Sequence, residues 1–343
     1  MRILIVGANS NYAIEKPFLK YLSQQKEVSS VELFAAQNYF LTYYNKGVAN
    51  KILYRTGFSS ILKKINVALK IKVAEFLPDI VFVFKGMEIY PATLRWIKNR
   101  EINIVNYNPD NPFIFSGRGS GNKNVTQSIH LFDLHLTYNS EVKRKMEVDY
   151  KIPTKILPFG FDMEEVLFEK SKEQPEVIKV CFMGDPDKFR AGFLEELARQ
   201  GISLDVYGNG WRKFLQHKNI TILAPAYGDE FWLTLRKYRV QLNLMRPHNP
   251  DTHNMRTFEV GGVGGIQLAP STEDHKNYFT PEKEIFLYDG LEECLLQIKK
   301  ILSLPKKDAD QIRENARSRS IASGYSYADR SRQALDLIRE IIV

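Results

Sequence analysis

Residues 246–269, RPHNPDTHNMRTFEVGGVGGIQLA, carry the densest candidate chemistry in the chain. An apolar strand ends near Met245, a polar loop with two prolines follows, and a helix is predicted to begin near Asn254 and to stop at the GGVGG run, 261–265. The first turn of a helix presents backbone N–H groups and the positive end of the helix dipole, which together can hold a diphosphate. Arg256 adds a full positive charge there, and Glu259 lies three residues later on the same face. A carboxylate so placed can accept hydrogen bonds from both hydroxyls of a ribose. The same two residues also suit an ordinary ion pair on a helix surface, and their spacing leaves both readings open. GGVGG closes a helix instead of opening one, so it is no dinucleotide fingerprint.

Other residues suit proton transfer or close approach. Asn108-Pro-Asp110-Asn-Pro112 follows a strand directly, which puts Asp110 at a carboxyl strand end. A carboxylate there can act as a general base toward a substrate hydroxyl, and Asp110 is the first candidate for that role; as an alternative it is a turn-forming aspartate between two prolines. Glu88, just beyond Lys85 and Gly86 at the end of another strand, is the reserve base. Gly7-Ala8-Asn9 follows the first strand, where glycine lets a substrate approach the backbone. Two metal-like groupings are weaker. Asp185-Pro-Asp187 matches an acid-X-acid motif but stands in ordinary turn context, and His248, Asp251 and His253 have no diagnostic ligand spacing. No metal or cofactor is expected.

Positioning these residues takes a repeated strand-turn-helix pattern. Apolar runs at 2–8, 31–36, 79–86, 102–108, 133–139 and 154–160 read as strands, with helices at 14–25 and 91–100. The polar stretch 168–179 lacks periodicity and reads as a linker. The alternation then restarts, with strands at 178–184, 203–208, 220–225, 240–245, 266–270 and 284–289. Helices are predicted at 189–201, 291–302 and 328–343. Short apolar strands alternating with helices imply parallel sheets covered on both faces. The expected fold is α/β with two Rossmann-type doubly wound domains, 1–167 and 178–327, and a last helix, 328–343, returning to the first domain. Ligands of such sheets bind at carboxyl strand ends, and the cleft between two such domains is the default site.

Composition bounds the rest. A chain of 343 residues with 44% hydrophobic content suits two ordinary cores. Cys181 and Cys294 both sit in apolar runs and look like small buried hydrophobes. The N-terminal apolar run is too short for a signal peptide, and no stretch approaches the roughly 18 apolar residues of a membrane span, so a cytoplasmic location is expected. The net charge of +8 suits an anionic partner. With no zinc-finger spacing, RNP-like aromatic stretch or long basic block, nucleic acid is not the expected one. Between Leu33 and Ala74 there is no acidic residue, while Lys46, Lys51, Arg55, Lys63, Lys64, Lys70 and Lys72 fall among Ile, Leu and Val. Such a segment suits peripheral contact with an anionic membrane, or simply a solvated helix face.

Asp251, seven residues and Glu259 resemble the E-X7-E pattern of retaining glycosyltransferases of the GT-B fold, with Asp at the first position. In that pattern the loop acid touches the donor sugar and the helix acid the ribose. Residues 180–211, VCFMGDPDKFRAGFLEELARQGISLDVYGNGW, are similar to the donor-domain start of the CgeB-like (spore maturation type) glycosyltransferases, and residues 132–162 and 326–338 fit as well. The resemblance covers roughly residues 130–340 and implies a GT-B fold in which the N-domain takes the acceptor and the C-domain a UDP-, GDP- or dTDP-sugar. It places Gly184 and Arg190 toward the donor phosphates, with Asn254 and Arg256. Tyr207 and Gly208 lie at the same sheet edge, and Ala226 and Tyr227 follow the strand where such proteins hold the base. It implies metal-independent transfer to a glycan, lipid-linked or protein acceptor. A nucleotide-sugar epimerase or a non-catalytic binding protein on the same fold are the alternatives.

Overall fold

The computed structural model describes residues 1–114, 121–246 and 251–342. They form two compact units. Met1–Pro158 and Tyr327–Val343 make the first, and Phe159–Ser326 make the second.

The first unit holds a six-stranded parallel sheet of β1 (Arg2–Val6), β2 (Ser30–Phe34), β3 (Ile80–Phe84), β4 (Asn103–Asn108), β5 (Leu134–Thr137) and β6 (Thr154–Ile156), in the order β2-β1-β3-β4-β5-β6. The central strand β3, IVFVF, is apolar throughout and every residue of it is buried, as expected of a strand covered on both faces. The C-terminal helix Tyr327–Ile342 packs on the helix Glu15–Leu22, where Tyr327 meets Phe18 edge-to-face.

The second unit repeats the plan with β7 (Val177–Met183), β8 (Leu204–Tyr207), β9 (Ile220–Leu223), β10 (Tyr238–Leu242), β11 (Gln267–Pro270) and β12 (Phe286–Tyr288), all parallel, in the order β12-β11-β10-β7-β8-β9. Its core runs through Val180, Phe182, Leu194, Val206, Trp211, Leu242 and Leu268. Cys181 and Cys294 are buried and unbonded. Strand order reverses between β1 and β3 in the first sheet and between β7 and β10 in the second. At such a reversal the flanking loops part to opposite faces and leave a crevice at the carboxyl ends.

Two expectations change. The stretch 168–179 is no open linker, because Glu165–Lys172 is a helix of the second unit. Its charges are spent on packing: Arg317 pairs with Glu165 at 2.8 Å and lies 4.2 Å over the Phe168 ring. The helix Met255–Val263 ends inside the GGVGG run as expected, at Gly264 in the left-handed region, but Gly261 and Gly262 lie within the helix instead of ending it. Helix glycines ordinarily weaken a helix. Here a Cβ would stand 2.6 Å from the Phe279 ring at Gly261 and 2.4 Å from the Phe161 ring at Gly262. Packing, not termination, requires them.

Candidate functional site

The candidate donor residues gather at the carboxyl edge of the second sheet. After β7 the chain turns at Gly184, whose N–H bonds to the Tyr207 carbonyl at 3.0 Å. Gly208 follows β8 at a φ of 152°, and a Cβ there would lie 2.3 Å from the Gly184 carbonyl oxygen. The two loops thus touch backbone to backbone. Asp187 caps the helix Lys188–Arg199 by accepting the Arg190 N–H at 2.9 Å, which gives that aspartate a structural task. Asp185 lies 3.9 Å from Arg246.

Arg190 straddles the strand reversal. Its side chain donates to the Asp185 carbonyl at 3.2 Å and to the Leu244 carbonyl, beyond β10, at 2.7 Å. It is buried, its Nε makes no hydrogen bond among the described residues and lies 3.6 Å from the Asp187 carboxylate, and burial brings its pKa down to about 10. A buried guanidinium with a donor to spare is costly unless an acceptor arrives.

Arg256 and Glu259 are indeed paired, at 2.7 Å, but the pair is not a surface one. Their side chains are only 19% and 12% exposed. Arg256 also donates to the Met183 carbonyl at 3.2 Å and stacks 4.7 Å above Phe231. Burial raises the Glu259 pKa, and Arg256 works against that rise. Asn254 caps the helix, accepting the Thr257 N–H, while its amide donates to Asn243 at 2.7 Å. Tyr207 bonds to the Tyr238 hydroxyl at 3.0 Å, and Tyr238 donates to Asp205 at 2.7 Å. Ala226 is partly buried against the core beside Phe231, and Tyr227, 48% exposed, leads into the helix Gly228–Lys237. Asp251 is exposed in the left-handed region at φ 54°, which aspartate tolerates. His253 bonds to Asp274 at 2.7 Å, and His248 lies outside the described residues. Sequence reading overlooked Asn243 and Phe231, because a polar residue just past a strand and an aromatic one inside a helix carry no motif.

The first sheet's edge is different. Lys85 and Gly86 follow β3 with successive positive φ angles of 61° and 92°. A left-handed lysine costs about 1–2 kcal/mol, and such strain gathers at working sites. The turn brings Lys85 into an ion pair with Asp110, beyond β4. Asn108 accepts the Asp110 N–H at 3.0 Å, and its buried amide nitrogen has no partner among the described residues. Glu88 is buried, and burial raises its pKa despite the pull of Lys85. Gly7 is explained by Glu15, a residue sequence reading overlooked. The Glu15 carboxylate accepts the Ala8 N–H at 2.6 Å, and a Cβ on Gly7 would lie 2.3 Å from it. Burial raises the Glu15 pKa as well, and the Ala8 N–H and Lys85 partly oppose it. Asn9, exposed, donates its N–H to Asn38 at 2.7 Å.

Two doubly wound parallel sheets, each with polar residues collected at its strand reversal, make an α/β architecture of GT-B type. Residues 190–336 match the glycosyl transferase-like family, so the resemblance to group 1 glycosyltransferases holds over that segment. Among curated protein sequences none matches the chain. Solved structures with the same fold include a sucrose-phosphate synthase from Thermosynechococcus elongatus, at 12% identity and a TM-score of 0.69, with 99% of this chain and 98% of that one covered. HepE of Anabaena in complex with UDP gives 12%, 0.64, and 99% and 100%. A UDP-GlcNAc 2-epimerase from Neisseria meningitidis bound to UDP-GlcNAc gives 15%, 0.60, and 99% and 100%.

Proposed function

We propose that the protein is a glycosyltransferase moving a sugar, of hexose type, from a nucleotide diphosphate-sugar to an acceptor hydroxyl on a glycan, lipid-linked or protein acceptor. The observation that carries this is the half-buried Arg256–Glu259 pair in the first turns of the helix Met255–Val263, inside the segment matching the glycosyl transferase-like family. An arginine and a helix N-terminus favour a diphosphate, and a carboxylate one turn on favours the ribose. As the bond to the sugar breaks, charge grows on the departing diphosphate, where Arg256, Arg190 and the helix dipole stabilise it without a metal. Asp251 contacts the donor sugar. Gly184, Tyr207, Gly208, Ala226 and Tyr227 form the rest of the donor site, with a uridine, guanosine or thymidine base. Asp110 takes the acceptor proton, its carboxylate held by Lys85. UDP in the HepE structure makes UDP-sugars the first donors to try.

A thermal-shift panel of UDP-, GDP- and dTDP-sugars identifies the donor, because a ligand that binds only the folded state raises the melting temperature. Acceptor-dependent release of nucleoside diphosphate then separates transfer from epimerisation, the alternative on this fold. A panel without any shift would overturn the proposal, and tight binding without turnover would leave a binding protein.

A further inference from the structure

One surface of the first unit has no part in either sheet edge. The helix Val48–Arg55 buries none of its residues. It holds to the helix Ala36–Asn45 through Tyr54, whose ring meets Phe40 and Tyr44 edge-on, and through Asn50, which donates to the Tyr43 carbonyl. Val48 and Ile52, one turn apart, are 73% and 53% exposed, and Leu53 is exposed beside them. Phe58 just beyond the helix is 83% exposed. The following helix, Ile61–Phe76, exposes Val67 and Ile71 alongside Lys63 and Lys64. Among these apolar side chains stand Lys46, Lys51, Arg55, Lys63, Lys64 and Lys70, with no acidic residue from Leu33 to Ala74; Lys72 is turned to Glu32.

We infer that this face lies on an anionic lipid bilayer. A bilayer surface meets both halves of the chemistry at once. Negative headgroups draw the lysines, and the boundary below them takes up Val48, Ile52, Leu53 and Phe58. Nucleic acid would satisfy the lysines but leave the aliphatic side chains in water. A second copy docked face to face would set one basic patch against another. Among the described residues no helix is long and apolar enough to cross a membrane, so the contact lies along the surface. This goes beyond the glycosyl-transfer reading and does not depend on it.

The test is sedimentation of the full chain with vesicles of phosphatidylcholine alone and of phosphatidylcholine with about a quarter phosphatidylglycerol. The expected result is binding to the anionic vesicles only, weakened by salt. Ile52→Glu, at a position where no fold contact is buried, should lower the bound fraction about tenfold, and Lys63→Gln with Lys64→Gln should lower it by several-fold. Circular dichroism confirms that the variants keep their helices. Negligible or equal binding to both vesicles overturns the inference, and so does binding that Ile52→Glu leaves unchanged. A dimer lost in Ile52→Glu, or DNA binding untouched by it, with no vesicle binding in either case, would assign the face to another partner.

Discussion

The carboxyl edges of the two sheets share a plan and differ in charge. Among the described residues, Glu15, Glu88 and Asp110 stand around the first strand reversal with Lys85. Around the second, among the described residues, Arg190, Arg246 and Arg256 stand with Asp185, Asp187, Asp251 and Glu259. Two helix N-termini, at Lys188 and Met255, add positive dipole ends to the second edge. On the proposed function, the first edge handles the acceptor proton and the second receives the diphosphate. Two doubly wound parallel sheets of different strand order therefore carry different charge at their carboxyl edges, set by a few residues in the loops.

The comparison breaks first at Asp110. If the first edge handles the acceptor proton, Asp110→Asn should lower kcat about 100-fold or more while donor affinity stays within about twofold, because base catalysis is lost and donor contacts are kept. Unchanged turnover would take Asp110 out of the mechanism and favour transfer without a protein base.

Glu259→Ala should weaken donor binding by about 100-fold, the worth of charged hydrogen bonds to two ribose hydroxyls. The helix should survive, since alanine favours it. The variant also leaves Arg256 without its carboxylate, so a control is needed. A 2′,3′-dideoxy nucleotide should bind parent and variant almost equally. Equal losses for both ligands would make Glu259 a partner of Arg256 and nothing more.

The two arginines sharpen the second edge. Arg256→Ala should cost about 1.5–3 kcal/mol in nucleoside diphosphate affinity, and it should also lower stability, because it leaves the buried Glu259 carboxylate unpaired and the Met183 carbonyl without its donor. Arg190→Ala should cost as much affinity, and it should also lower the melting temperature by a few degrees, because Arg190 ties the Asp185 and Leu244 carbonyls together. Nucleoside without phosphate should bind all three proteins alike. An Arg190 variant that loses stability but no affinity would make that residue a clasp of the fold.

The strands were legible in the sequence for a plain reason. Parallel strands buried on both faces need short, mostly apolar segments, and the strands stand at such segments, from the unbroken IVFVF of β3 to the mixed NIVNYN of β4. The helices 36–45, 48–55 and 165–172 were not, since they bury almost nothing, Ala36 in the first, no residue in the second and Ser171 in the third, and so show no apolar stripe. At the site, the helix start at Asn254 and the placing of Asp110 followed from local turn chemistry. Burial did not. Nothing local says that the Arg256–Glu259 pair is half enclosed, or that Glu15, in a helix start that looks exposed, folds back under Gly7. Those facts depend on elements far apart in the chain, and a local pattern cannot carry them.

Glu15 gives the smallest effect and tests the proton-holding character of the first edge without substrate. Burial raises its pKa above the ordinary carboxyl value in the folded protein. The folded state therefore prefers the protonated form. Its contribution to stability is fully present below the unfolded pKa and is lost as pH rises through the folded one. Glu15→Gln keeps the shape and an oxygen for the Ala8 N–H but cannot ionise. Parent and variant should melt alike near pH 4, and the parent should fall behind by a few degrees as pH rises toward 7, then run parallel. Glu88 is raised for the same cause, so the single variant keeps part of the slope and Glu15→Gln with Glu88→Gln should flatten it further. Calorimetry across that range decides. If the parent instead gains on the variant as pH rises, Glu15 sits ionised in the fold, and the first edge is a site of fixed negative charge.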